Sequence, residues 1–80
     1  MNKSELFNNI NKLHTTDLGI QRIKKNLGLN TQSLTDYCRT IILKPNAIIE
    51  RKGKNWYITV DNIILTVNAN SYTIITAHKI

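Results

Sequence analysis

Eighty residues with a formal net charge of +6 at neutral pH make a basic chain near the lower size at which one hydrophobic core folds unaided. No apolar run reaches the roughly 18 residues of a membrane span, and the first residues lack the apolar core of a signal peptide. A single cysteine, Cys38, excludes an internal disulfide, so a cytoplasmic protein with no membrane partner is expected.

The first half, residues 1–44, reads as helical. Ser4 is a candidate N-cap with Glu5 in the first turn, and Leu6, Phe7, Ile10 and Leu13 recur at spacings of three and four, as on one face of a helix. Thr15-Thr16 offers a second N-cap ahead of Asp17. Leu18, Ile20, Ile23 and Leu27 form the apolar stripe of that helix, and Gly28 stops it. Asn30 or Thr31 begins a third helix with Leu34, Tyr37, Cys38 and Ile41 facing inward, and Pro45 ends it.

After Pro45 the period changes. "AIIERK", "NWYITV", "IILTV" and "YTIITAH" are β-branched or aromatic runs divided by turn residues, which predicts four strands over residues 46–80. A two-residue turn at Asp61-Asn62 sets Val60 opposite Ile63, Ile58 opposite Leu65 and Trp56 opposite Val67. A turn within 68–71 then sets Val67 opposite Tyr72, Leu65 opposite Ile74 and Ile63 opposite Thr76. One face collects Trp56, Ile58, Val60, Ile63, Leu65, Val67, Tyr72 and Ile74, and only the helices can cover it. The other face holds Tyr57, Thr59, Ile64, Thr66, Thr73 and Ile75 and stays open. The expected fold is a single α+β domain, three N-terminal helices packed on one face of a four-stranded antiparallel meander.

The charges are uneven. Glu5, Asp17, Asp36, Glu50 and Asp61 stand singly, whereas Arg51, Lys52 and Lys54 surround Gly53 directly before Trp56 and Tyr57. Such a basic hairpin beside an aromatic suits a polyanion, although lysines at a glycine turn also serve as an ordinary solvated rim. Cleavage of a phosphodiester without metal needs cations against the phosphate and groups that move protons. Arg51, Lys52, Lys54 and Lys79 are candidates for the first role, His78 and Tyr57 for the second. Thr59, Thr66 and Thr73 line the same open face and complete the candidate nucleic-acid contacts. Face parity, however, points His78 toward the helices unless a bulge re-aims it. His14 is explained as a cation at the negative end of the first helix, Cys38 as a small buried residue, and Trp56 as core. His14, His78 and Cys38 lack metal-ligand spacing, so neither metal nor cofactor is expected. Upstream, "IQRIKKNLGLNTQSLTDYCR", residues 20–39, fits much of a helix-turn-helix template with Gly28 in its turn. Lys24 stands where the template wants a small residue, and Gln32, Ser33, Thr35, Asp36 and Arg39 form a weakly charged reading face.

At Gly53-Lys54-Asn55-Trp56-Tyr57, Leu65-Thr66-Val67-Asn68 and Tyr72-Thr73-Ile74-Ile75-Thr76-Ala77, the chain resembles a family of small bacterial proteins known as a conserved domain of unknown function. The resemblance spans nearly the whole length and implies that these stretches are a family signature. It implies no activity. In the order of its elements alone, the chain is also similar to the barnase–colicin–RelE class of metal-independent ribonucleases, many of them toxins of toxin–antitoxin pairs. Only His78 and Lys79 stand where the RelE type has its basic C-terminal pattern.

Three readings stay open. The first is a small basic protein that interacts with RNA or another nucleic acid, its catalytic version being a toxin-type endoribonuclease. The second is a helix-turn-helix DNA binder. The third is a non-catalytic interaction module, such as a phage- or element-borne inhibitor that docks on an acidic protein or a nucleoprotein. A homodimer through the open sheet face is compatible with each.

Overall fold

The computed structural model describes residues 4–30 and 33–80. In chain order these form α1 (Ser4–Asn8), a 3-10 turn (Ile10–Lys12), α2 (Asp17–Leu27), α3 (Leu34–Ile42), then β1 (Ile48–Lys52), β2 (Asn55–Val60), β3 (Ile63–Asn68) and β4 (Ile74–Lys79). The strands make one sheet in the order β1-β2-β3-β4, and each neighbouring pair is antiparallel. The chain is α+β.

The first helical stretch is broken. The Asn9 side chain donates to the Glu5 carbonyl at 2.8 Å, the kind of local bond by which asparagine competes with the helical ladder. Helix α1 therefore ends at Asn8 and the chain tightens into the 3-10 turn, with Leu6 and Leu13 both buried. The start of α2 follows from its cap: Thr16 Oγ1 accepts from the Gly19 amide at 3.0 Å with Asp17 in the first turn. Its end follows from Gly28, which sits at φ 64° and donates its amide to the Lys24 and Lys25 carbonyls. Gly28→Ala is expected to lower stability by about 1–2 kcal/mol, the cost of a Cβ in the left-handed region, read as a fall in the urea unfolding midpoint.

Leu18 does not belong to the inward stripe of α2; it is 73% exposed. The buried line is Gly19, Ile23 and Leu27, four residues apart. A Cβ on Gly19 would lie 3.0 Å from the Thr16 hydroxyl, so the glycine leaves room for the cap, and Leu18 faces solvent because it stands on the opposite side of the helix from Ile20, Ile23 and Leu27. Helix α3 begins later than expected, with Ser33 as its cap, accepting from the Asp36 amide at 3.4 Å. Asn30 stands ahead of that cap, and Thr31 lies outside the described residues. Leu34, Cys38 and Ile41 are buried, Ile42 joins them, and Tyr37 is half-buried.

In the sheet, Asp61 and Asn62 adopt φ 50° and 65°, the left-handed pair of a two-residue hairpin turn. The β2–β3 register is the expected one: Val60 opposite Ile63, Ile58 opposite Leu65, Trp56 opposite Val67. The turn is tied to the end of α3, since the Asp61 carboxylate accepts from Lys44 Nζ and, at 2.9 Å, from Asn46 Nδ2. These bonds hold the Asp61 carboxyl below its ordinary range and raise the Lys44 amine above its own.

The last hairpin departs from expectation. Asn68 Oδ1 accepts from the Asn70 and Ser71 amides at 2.9 Å each, and Tyr72 turns left-handed at φ 59°. The Asn68 amide reaches the Thr73 carbonyl, closing a loop longer than the four-residue turn expected. Val67 therefore faces Ile74, not Tyr72, and the register then slips between Thr66 and Val67, leaving Ile75 unpaired as a bulge. Beyond it Thr66 faces Thr76, Leu65 faces Ala77, Ile64 faces His78 and Ile63 faces Lys79.

One core cluster joins Leu6, Leu13, Ile23, Leu27, Leu34, Cys38, Ile41 and Ile42 of the helical half to Trp56, Ile58, Val60, Leu65, Val67, Tyr72, Ile74 and Ala77 of the sheet half. Helix α2 packs on β4 and α3 on β2.

Candidate nucleic-acid interface

Residues that face each other across an antiparallel pair share a side of the sheet. The side opposite Trp56, Ile58 and Val60 therefore carries three rows: Ile48–Thr59–Ile64–His78, then Glu50–Tyr57–Thr66–Thr76, then Lys52–Asn55–Asn68. The bulge at Ile75 decides one of these positions. Unbroken alternation would aim His78 at the core side, but the extra residue shifts the phase by one, so His78 shares a side with Tyr57 and is exposed. A shallow groove of about 430 Å³ runs along this side, lined by Glu50, Lys52, Tyr57, Thr59 and Ile64.

Tyr57 and His78 share a side without meeting. They stand on β2 and β4 with β3 between them, and one row apart, which at about 4.8 Å per strand and 3.4 Å per residue separates their Cα atoms by about 12 Å. The Tyr57 hydroxyl lies 3.4 Å from Asn55 Nδ2, and Asn55 is on the side of Tyr57 away from the His78 row. The two groups do not bracket a common phosphate.

Three other expected contacts move. Thr66 is only 7% exposed, because a side chain in the middle of a row is flanked by neighbours on both strands; it is floor, not contact surface. Thr73 precedes β4 and leaves the open rows altogether. Its hydroxyl is held by Ser71 Oγ at 2.8 Å and by His14 Nε2 at 3.0 Å. His14 Nδ1 donates to the Lys12 carbonyl at 2.9 Å, while its Nε2 shares the hydrogen bond with the Thr73 hydroxyl. The backbone at His14 also pairs alongside β4, accepting from the Ile74 amide at 2.8 Å, so this histidine ties the helical half to the sheet. Lys79 sits on the core side, opposite Ile63, and its Nζ lies 4.0 Å from where a Gly28 Cβ would stand, a cation at the negative end of α2.

The cations of the hairpin do not form one cluster either. Successive strand residues point to opposite sides. Lys52 therefore goes to the open side, 3.8 Å from Glu50 Oε2. Arg51 goes to the other side, its guanidinium carbon 5.4 Å from the Trp56 ring centroid and its Nε donating to the Gly53 carbonyl at 3.1 Å. Lys54 lies in the turn, where Gly53 adopts φ 58° and the Lys54 carbonyl accepts from the Ala69 amide. Arg51 and Lys54 do share a second groove, of about 610 Å³, with Glu5, Gly53, Asn68, Ala69 and Asn70. Sequence reasoning missed Glu5, Asn68 and Asn70 at this place. The "VNANS" run at 67–71 was legible as a turn, but nothing in it said which groove the turn would wall.

Residues 20–39 depart from the helix-turn-helix template. Six residues, 28–33, separate α2 from α3, against the three or four of the motif, and each helix packs on a different strand. Asp36 and Arg39 pair with each other at 2.6 Å, and Gln32 lies outside the described residues. Among the described residues, no group of three or more His, Cys, Asp or Glu could hold a metal ion, and no helix is long and apolar enough to cross a membrane.

The family model described as "Protein of unknown function (DUF3781)" matches residues 7–78, and the chain belongs to that family. No curated protein and no solved structure matches it significantly.

Proposed function

We propose that this member of the DUF3781 family is a binding protein for single-stranded RNA, using the sheet side that carries Tyr57 as its platform and cleaving nothing by itself. The helices share their core with the opposite side of the sheet, which supports an arrangement of three helices on one face of a meander with the Tyr57 side left bare. The observation that carries the reading is the bulge at Ile75: it adds His78 to a side that already has an aromatic ring and threonine hydroxyls, with Lys52 at its rim. Bases stack on such rings whatever their identity, and hydroxyl and amide groups suit the 2′-hydroxyl.

Tyr57→Ala is expected to weaken binding of a single-stranded RNA about tenfold, the loss of roughly 1.4 kcal/mol of base stacking, in a fluorescence-anisotropy titration with single-stranded DNA of the same sequence as the parallel arm. Unchanged affinity would remove the platform. RNA incubated with the protein in EDTA is expected to stay intact; cleavage that disappears with His78→Ala would instead support a metal-independent endoribonuclease of toxin type. A protein partner, acidic or a second copy of the chain, is the second reading, favoured by Ile48 and Ile75, which are 61% and 41% exposed. It predicts dimerisation or capture of an acidic protein with no RNA affinity.

A further inference from the structure

We infer that the groove beside the β1–β2 turn is a subsite for one nucleotide of the single strand, with Arg51 and Lys54 on its phosphate and Glu5 on its base. This deepens the RNA-binding reading and rests on it. Arg51 is pinned over Trp56 and spends its Nε on the Gly53 carbonyl, so its terminal nitrogens project from a fixed stem, and a fork held this way loses little entropy on gripping a phosphate. Lys54 stands on the other side of the exposed Gly53, and among the described residues its ammonium makes no ion pair. Asn68 spends its Oδ1 on the turn that follows it, which leaves its amide hydrogens for a ligand oxygen. Asn68 is also the end of the third row of the open side, next to Asn55, which touches Tyr57. A strand stacked on Tyr57 thus has a continuous polar path over Asn55 and Asn68 into the groove, and the volume of about 610 Å³ falls in the range of small-ligand sites.

Glu5 gives the groove its selectivity. It is the carboxylate among the lining residues, and it repels a bare phosphate. It accepts, however, from the exocyclic amine of cytosine, whereas uracil presents an oxygen at the same position. The ligand that satisfies both charges is a phosphate linked to an amino-bearing base.

The test titrates the full chain with short oligo(C) and oligo(U) RNA at several salt concentrations. Oligo(C) is expected to bind about tenfold tighter than oligo(U), and Glu5→Gln to erase that preference. Lys54→Ala, a change on an exposed turn that leaves the core untouched, is expected to flatten the slope of log affinity against log salt by about 0.7, and Arg51→Ala with Lys54→Ala by about 1.4. Slopes unchanged in both variants, or a cytosine preference that survives Glu5→Gln, would overturn the subsite. Tyr57→Ala separates the two proposals. If it does nothing while Lys54→Ala flattens the slope, the groove stands and the platform falls; the converse pattern leaves the platform and removes the groove. Failure to bind either strand removes both.

Discussion

Alkylation of Cys38 in the folded protein is expected to run about a thousandfold slower at neutral pH than alkylation of an ordinary exposed thiol. Cys38 lies on α3 with no exposed surface, and burial pushes its thiol up from 9.0 to about 12. The reacting species is the thiolate, so a rise of three pKa units alone removes a factor of about a thousand from its population. Opening of α3 restores an ordinary thiol, so the frequency of that opening sets how much of this slowing is observed. Mass-spectrometric labelling with iodoacetamide, native against urea-unfolded, reads the ratio directly. Fast native labelling would mean that α3 does not seal the core. The same shift has a pH consequence. A thiol whose folded pKa is raised contributes stability in full below the unfolded value and loses it as pH climbs from about 9 toward about 12. The urea midpoint of the native chain should fall over that interval more steeply than that of Cys38→Ala, a comparison that cancels the lysines and tyrosines titrating nearby.

The inward position of Cys38 was legible because Leu34, Cys38 and Ile41 keep helical spacing, and the β2–β3 register was legible because Asp61-Asn62 dictates a two-residue turn. Both are local rules acting on adjacent residues. The exposure of Leu18 was in fact legible: at about 3.6 residues per turn it lies on the opposite side of α2 from Ile20, Ile23 and Leu27, so grouping it with them misapplied the period. The other errors arose where a distant group decided. The phase of β4 depends on a loop in which Asn68 caps two amides and Tyr72 takes a left-handed conformation. Tyrosine rarely adopts that conformation, so the pattern "SYTIITAH" gave no cue for the bulge that followed. One extra residue then exchanged the sides of His78 and Lys79 relative to unbroken alternation. The cations of the hairpin are neighbours in sequence, whereas a strand sends neighbours to opposite sides. The same alternation that dispersed the expected cluster brought Arg51 and Lys54 to a groove with Glu5, from a helix nearly fifty residues away.

Trp56→Ala is expected to remove a large share of the chain's stability and to lower its urea unfolding midpoint steeply. The indole is 1% exposed and is the largest of the fully buried side chains, and truncating a buried tryptophan costs about 3–5 kcal/mol through lost transfer energy and the cavity left behind. A chain of this length has only about 4–12 kcal/mol to lose. The indole also carries Arg51 on its ring, so its removal unseats the fork that the groove depends on. Trp56→Phe is the informative companion. It keeps an aromatic surface under Arg51, and it deletes Nε1, a buried nitrogen with no hydrogen-bond partner among the described residues, so part of the cost of the smaller ring is offset by a donor no longer stranded. A loss of about 1–2 kcal/mol is expected for it. Because Trp56 is the single tryptophan, its own fluorescence cannot report either variant, and unfolding is followed by far-UV circular dichroism in urea. A midpoint for Trp56→Ala close to the native one would mean that this side of the sheet is not the sealed side. The assignment of Tyr57 to the bare side, which follows from the alternation of Trp56 and Tyr57 along β2, would fall with it.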